Sequence, residues 1–334
     1  MIVGYVEPSG ESTPLATAEL RAVVEALHGR LNEVGPDAST LCRVEVPEEA
    51  TLAQLASRLA LARRTLVPVG EARSLESVAR EEGSAGLPAA FRRLGSPGKA
   101  ADVTVRALGR AYVAGGGAID LETPKVRYWV APGPEGRERL LREVAAVDRA
   151  TVAGRAMPRL PFRRPVSLPP RLARTAVNLT GVRPGDTVLD PFLGTGSLLA
   201  EAALLGARVY GIDADPGMVR GALRNFDHLG VHPEAVVQGD ARTVELPTRP
   251  NRWNALVTDP PYGRSSASVG ADPERLVAAV LRRWSAELEP DGRVVVILPG
   301  GDAPLGEPWV ESVCVPVRVH RSLTREFRVY RRRT

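Results

Sequence analysis

A chain of two dissimilar halves, with a doubly wound α/β domain at the C-terminal end, is predicted by three observations. From residue 182 onward, short apolar runs alternate with helical stretches, and strand after helix after strand requires a parallel sheet covered on both faces. Two late apolar runs, at 312–319 and 327–331, add an antiparallel edge. Before residue 150 the elements are shorter, and the runs at 102–106 and 125–130 alternate apolar and polar as half-buried strands do, which predicts small α+β units. At 334 residues the chain also exceeds one ordinary core. The expected division is an N-terminal domain over 1–150, a linker with a helix over 151–180 and the α/β domain over 181–334.

In order, the N-terminal region predicts a strand at 2–6, a turn in PSGEST, a helix through 20–24, a strand at 41–46 and a helix over 52–61. Five prolines between Met157 and Pro170 forbid an ordinary helix interior there, so that stretch is expected to be extended and stiff, followed by a helix over 172–179. In the last region VLD (188–190) precedes Gly194 and Gly196, and a helix is expected over 197–205. RVYGID (208–213), a helix over 218–229, AVVQGD (235–240) and ALVTD (255–259) follow, then a helix over 273–288 and RVVVILPG (293–300).

The formal charge of +5 comes with only two lysines, Lys99 and Lys125, and arginine's planar fork suits phosphate, so a nucleic-acid partner is expected. Aromatic content of 4% argues against a broad base-stacking surface. Cys42 and Cys314 match no metal or redox spacing, so no metal site is expected and the thiols are read as reduced. The opening MIVGYVEPSG lacks the basic-then-apolar pattern of a secretory signal, and no run reaches membrane-span length. A cytoplasmic setting is the expectation.

In a doubly wound sheet, ligands bind beyond the carboxyl ends of the strands, where the strand order reverses. Asp190-Pro-Phe-Leu-Gly194-Thr-Gly196 ends the first strand, and its glycines let backbone approach a ligand. A carboxylate four residues before Gly194 would repel a pyrophosphate and attract a cation, which favours S-adenosylmethionine over a dinucleotide. Asp213 ends the next strand, where a carboxylate accepts from ribose hydroxyls, and Asp240 ends the third, within reach of an adenine amino group. Thr258-Asp-Pro-Pro-Tyr262 ends a fourth strand; two prolines stop the ladder and fix one backbone shape. An exocyclic amine that donates to the Asp259 carboxylate and the Pro260 carbonyl would be held with its lone pair exposed, and Tyr262 would stack on a base flipped out of its helix. The loop has no cysteine, which disfavours methylation at carbon through a covalent adduct.

DPFLGTGS with DPPYG resembles the class I methyltransferases that act on exocyclic amino groups. GAIDLETPKVRYWV (117–130) resembles the closing strands of a THUMP domain, and the opening YVEPSGESTPLATAEL resembles a ferredoxin-like unit. RPVSLPPRLARTAVNLTG (164–181) and HRSLTREFRV (320–329) resemble segments of THUMP-bearing tRNA guanine-N2 methyltransferases, the archaeal enzymes acting at position 10 above all. The resemblance implies a Rossmann-like methyltransferase domain preceded by ferredoxin-like and THUMP units, with S-adenosylmethionine as cofactor and tRNA as partner. Asp190, Phe192, Gly194, Thr195, Gly196, Asp213, Ala214, Asp240 and Ala241 would then line the cofactor pocket, and Asp259, Pro260, Pro261 and Tyr262 would carry the transfer. Arg92, Arg93, Lys99, Arg106, Arg110 and Arg264 are the expected RNA contacts, and a small activating protein is a further implied partner. The competing readings are N2 methylation at another tRNA or ribosomal position, a DNA adenine-N6 methyltransferase and a non-catalytic RNA-binding subunit. One or two methyl groups and the oligomeric state are left open.

Overall fold

The protein was analysed as a computed structural model that describes residues 1–33, 41–69, 74–94, 103–133, 137–156, 159–164, 167–261, 273–302, 304–320 and 323–333. Its contacts divide the chain into two units. The first comprises 1–13, 27–57 and 62–147; the second comprises 14–26, 58–61 and 148–334. This division crosses the expected boundary at 150, because helix α1 (Thr13–Ala26) and the turn at 58–61 take their contacts from the second unit.

The first unit carries strands β1 (Ile2–Pro8), β2 (Arg30–Glu33), β3 (Cys42–Val46), β4 (Ala62–Pro68), β5 (Pro88–Arg93), β6 (Ala118–Ile119), β7 (Val126–Pro132) and β8 (Glu138–Ala146). They form one sheet in the order β2-β3-β1-β4-β8-β7-β5-β6. Its helices are α2 (Glu49–Arg58), α3 (Leu75–Gly83) and α4 (Val103–Ala114). Gly4 is small because α2 lies on it: a Cβ there would stand 2.6 Å from a Leu52 methyl. Of the run at 102–106, expected as a strand, residues 103–106 belong to α4, and 102 lies outside the described residues. The Val-Thr-Val alternation is short, and beyond it Leu108, Ala111 and Tyr112 recur at helical spacing and are buried against Phe91 and Tyr128.

The second unit continues with α5 (Arg149–Gly154), α6 (Pro170–Leu179), β9 (Thr187–Asp190), α7 (Ser197–Ala203), β10 (Arg208–Asp213), α8 (Pro216–Leu229), β11 (Ala235–Gln238), β12 (Trp253–Thr258), α9 (Pro273–Ser285), β13 (Leu288–Leu298), β14 (Trp309–His320) and β15 (Leu323–Arg332). The sheet order is β11-β10-β9-β12-β13-β15-β14. β11 through β13 pair in parallel, and β15 and β14 close the edge antiparallel, as the sequence predicts. One face packs Ala176, Val177, Leu199 and Phe226 from the helices with Leu15 of α1 and Leu61; the other packs Trp284 of α9 against Trp253. Each such buried apolar side chain contributes about 1.5–3 kcal/mol relative to exposure. Glu19 of α1 is fully buried and accepts from Ala60 N (2.9 Å), Leu61 N (2.9 Å) and Asn178 Nδ2 (2.7 Å), so three remote segments meet on one carboxylate. Burial pushes that carboxyl up. Among the described residues no helix is long and apolar enough to cross a membrane.

Candidate functional site

The strand order reverses between β9 and β12, which lie side by side with Val188 opposite Ala255 and Leu189 opposite Leu256. That register brings Asp190, Thr258 and Asp259 to one edge of the sheet. Asp190 is 1% exposed, and its Oδ1 accepts from Thr258 Oγ1 (2.7 Å) and from Phe192 N (3.0 Å). Both bonds end on the same oxygen, and Oδ2 has no protein donor among the described residues. Burial first, and then the negative charges of Asp213 and Asp259, push the carboxyl up to about 7. A buried acid poised this way is suited to a cationic ligand.

The loop after β9 takes its shape from its glycines. Gly194 and Gly196 have φ of +55° and +81°, the left-handed region that glycine adopts without cost. A Cβ on Gly196 would also stand 2.7 Å from the Phe226 ring, so no other residue fits there. Leu193 N donates to Ile212 O (2.8 Å) and Gly194 N to Asp213 Oδ2 (2.7 Å), which fold the loop over the end of β10. Asp213 Oδ1 accepts from Asp215 N (2.9 Å), and burial raises the Asp213 carboxyl. Asp215 caps α8 by accepting from Gly217 N (2.6 Å).

Two residues that sequence reasoning missed hold this loop from outside. Asn225 of α8 is buried; its Nδ2 donates to Thr195 O (3.0 Å) and Phe162 O (3.1 Å), and its Oδ1 accepts from Phe162 N (3.0 Å). Ser167 Oγ stands 3.0 Å from Thr195 Oγ1. The described part of the proline-rich stretch is therefore fastened to the cofactor loop, with the Phe162 ring in the space left by Gly221, whose Cβ would lie 2.1 Å from it.

Asp240 follows β11 and is half-buried. Arg242 engages both its oxygens through the guanidinium, and the Arg242 amide also donates to it (2.9 Å); this partner holds the carboxyl below its ordinary value. Expected as an acceptor for an adenine amino group, Asp240 already accepts from Arg242. Ala214 is exposed and Ala241 is buried, its carbonyl accepting from Trp284 Nε1 (2.9 Å).

Asp259 closes the edge. Its Oδ2 accepts from Arg325 Nη1 at 2.6 Å, an ion pair with the arginine side chain 8% exposed and the aspartate 15%. Arg325 lies on β15, which the antiparallel hairpin carries to the catalytic end of the sheet. No local signal announces this pair: the two residues are 66 apart. Pro260 is buried and Pro261 half-buried. Tyr262, Arg264 and Lys99 lie outside the described residues. Of the other expected RNA contacts, all in the first unit, Arg92, Arg106 and Arg110 are exposed, the last two one turn apart on α4, whereas Arg93 is ion-paired with Glu138.

Residues 159–305 match the family described as RMKL-like, methyltransferase domain. The chain is 36% identical over 220 residues to the tRNA (guanine(10)-N2)-dimethyltransferase of Methanothermobacter thermautotrophicus, a match covering 64% of this chain and 63% of that protein. It is 32% identical over 295 residues to the tRNA (guanine(6)-N2)-methyltransferase of Thermus thermophilus, covering 83% of this chain and 81% of that one. The chain belongs to the tRNA guanine-N2 methyltransferase family. The crystal structure of TrmN from Thermus thermophilus shares the fold, with a TM-score of 0.51 at 21% identity, over 99% of this chain and all of that one. The archaeal relatives are spanned only in part, to 63, 51 and 30% of their lengths in three cases. S-adenosylmethionine is the methyl donor of such methyltransferases, and the residues present fit it. A buried acid with one oxygen uncommitted awaits a cationic group, and a second acid stands over the next strand.

Proposed function

We propose that the chain transfers methyl groups from S-adenosylmethionine to the exocyclic N2 of a guanosine in tRNA, with position 10 as the target. One observation carries the reading: the carboxylate that opens the DPPY loop stands on the strand adjacent to the one that ends in the cofactor acid, joined to it through Thr258. When bound, S-adenosylmethionine supplies an electrophilic methyl group on a positively charged sulfur. Asp190 and Asp213 hold its cationic and hydroxyl-bearing parts, and the Gly194–Gly196 turn lets it approach the backbone.

On the acceptor side, Asp259 and the Pro260 carbonyl each take one N–H of the guanine amine. The nitrogen lone pair, otherwise spread into the ring, is thereby turned toward the methyl group. The N–C bond would form as the methyl–sulfur bond breaks, its electron pair staying on sulfur, and the Asp259 carboxylate would take the departing N–H proton and pass it to solvent. Arg325 fixes the second carboxylate oxygen, so Asp259 keeps its orientation and its charge until the proton arrives. Tyr262 is assigned to stack on the guanine. The first unit is read as the ferredoxin-like and THUMP RNA-binding part, with Arg92, Arg106 and Arg110 on its phosphate-facing surface, and the setting as the cytoplasm.

Position 6 is the second reading, favoured by the greater share of the chain that matches the Thermus thermophilus relative. The test is methyl transfer to unmodified tRNA transcript, ribosomal RNA and duplex DNA in parallel, with nucleoside mass spectrometry and Asp259→Asn as control. The expected product is N2-methylguanosine or its dimethyl form on tRNA alone, lost when guanosine 10 is replaced. Loss only when guanosine 6 is replaced selects the second reading, and methyladenine on DNA overturns both.

A further inference from the structure

The second unit contains a cleft of about 470 Å³ that the methyl-transfer site does not use. One wall is a face of α1 carrying Thr17, Arg21 and Glu25; the other is a face of the sheet, where β13 supplies Arg293 and β15 supplies Arg331. β15 links the two places. Arg325 at its start reaches Asp259, and Arg331 comes six residues later, about 20 Å further along an extended strand.

The charges in this cleft do not balance. Arg293 Nη2 (2.9 Å) and Arg331 Nη2 (3.1 Å) both donate to one oxygen, Oε2 of Glu25. Arg21, one turn before Glu25 and exposed, makes no ion pair among the described residues. Arg331 Nε meets no acceptor. Two guanidinium groups thus converge on a single carboxylate, and the unpaired Arg21 lines the same concave, partly apolar space, so positive charge is in excess there. Burial and the neighbouring charge of Arg331 also act against the ionised form of Arg293. A second anion would relieve the crowding, and it would find forks on two walls and the hydroxyl of Thr17 beside them. Several donors aimed from different directions suit a tetrahedral, multiply charged oxyanion better than a flat carboxylate.

We propose that this cleft is a second binding site, taking a phosphate group at the end of the sheet opposite the methyl-transfer site. RNA backbone and free nucleotides both carry that group, and the test separates them. Inorganic phosphate and adenosine 5′-monophosphate are titrated calorimetrically into the full chain at fixed ionic strength, and tRNA binding is followed by filter retention. Native protein is compared with Arg21→Ala, Arg21→Ala/Arg331→Ala and Glu25→Gln, each checked for native circular dichroism. Saturable phosphate binding is expected. Loss of two charge-assisted partners should weaken it at least about tenfold, and Glu25→Gln should tighten it by removing the competing carboxylate. S-adenosylmethionine affinity should stay unchanged. A parallel loss of tRNA affinity in the double variant assigns the site to RNA backbone; unchanged tRNA affinity with lost nucleotide binding assigns it to a free nucleotide. The proposal fails if native protein shows no saturable phosphate binding, or if Arg21→Ala and the double variant both bind as tightly as native. Arg21→Ala leaves the Glu25 bridge intact, so the test stands even if the other variants fold poorly.

Discussion

The protonation state of Asp190 makes cofactor binding depend on pH in a predictable direction. Its carboxyl, ordinarily at 3.8, lies at about 7 in the folded protein, so ionising it there costs about 4 kcal/mol more than in water. A cationic donor binds the ionised form. Below pH 7 that form must first be generated, and S-adenosylmethionine affinity should fall about tenfold per pH unit, reaching a plateau above pH 8. At pH 6 binding should release close to one proton, visible as a calorimetric enthalpy that changes with the ionisation enthalpy of the buffer. Asp190→Asn should flatten the profile near pH 7 and lower the plateau affinity by tenfold or more, the two proteins converging as pH falls. Asp213, also raised by burial, acts in the same direction and supplies whatever slope the variant keeps. Native affinity that is level from pH 5.5 to 8, or a slope that Asp190→Asn leaves intact, would refute the reasoning. The same group sets a stability trend. Between pH 4 and 7 the folded protein holds a proton on Asp190 that the unfolded chain has lost, so the Asp190 contribution to stability declines as pH rises through that window.

Arg325→Ala should lower kcat about 10- to 100-fold by freeing the Asp259 carboxylate, with the cofactor dissociation constant unchanged; breaking so buried a pair should also destabilise by about 3–5 kcal/mol in urea unfolding. Gly196→Ala should destabilise by about 2 kcal/mol or more and abolish cofactor binding, because the left-handed backbone and the Phe226 ring both reject a Cβ; a melting temperature and a binding titration check it. Glu19→Ala leaves the amides of Ala60 and Leu61 and one N–H of the Asn178 side chain, whose nitrogen also donates to Arg58 O, without their acceptor. At about 1–3 kcal/mol for each orphaned buried donor, the denaturant midpoint should drop by the largest amount of any of these variants.

The sequence made the second unit legible because its signals are local. Apolar runs of four to six residues ended by Asp190, Asp213 and Asp259, with glycines at 194 and 196, identify both the parallel sheet and its functional edge without any tertiary information. Where local pattern was short, it misled: Val103-Thr104-Val105 alternates like a strand, yet tertiary burial of Leu108 and Tyr112 decides for helix. The Arg325 partner of Asp259 and the Asn225 clasp on Thr195 depend on chain segments 66 and 30 residues apart, and neither leaves a periodic trace. Asp240 is the opposite case. Arg242 stands two residues away, and that spacing was available to flag the carboxylate as already engaged.

The interleaving of the two units bears on how such a chain can be cut or recombined. The second unit is assembled from three stretches, and the backbone passes between the units five times, at 13/14, 26/27, 57/58, 61/62 and 147/148. A gene fragment starting at 148 would lack Leu15, Ala16 and Leu61 from its core, and one starting at 181 would lack the Phe162 and Ser167 ties to the cofactor loop as well. No single crossover can exchange the front part of this chain for another domain. Any transplant has to carry helix 14–26 and the 58–61 turn along with the graft, or supply their equivalents, which makes the two parts heritable only as a pair.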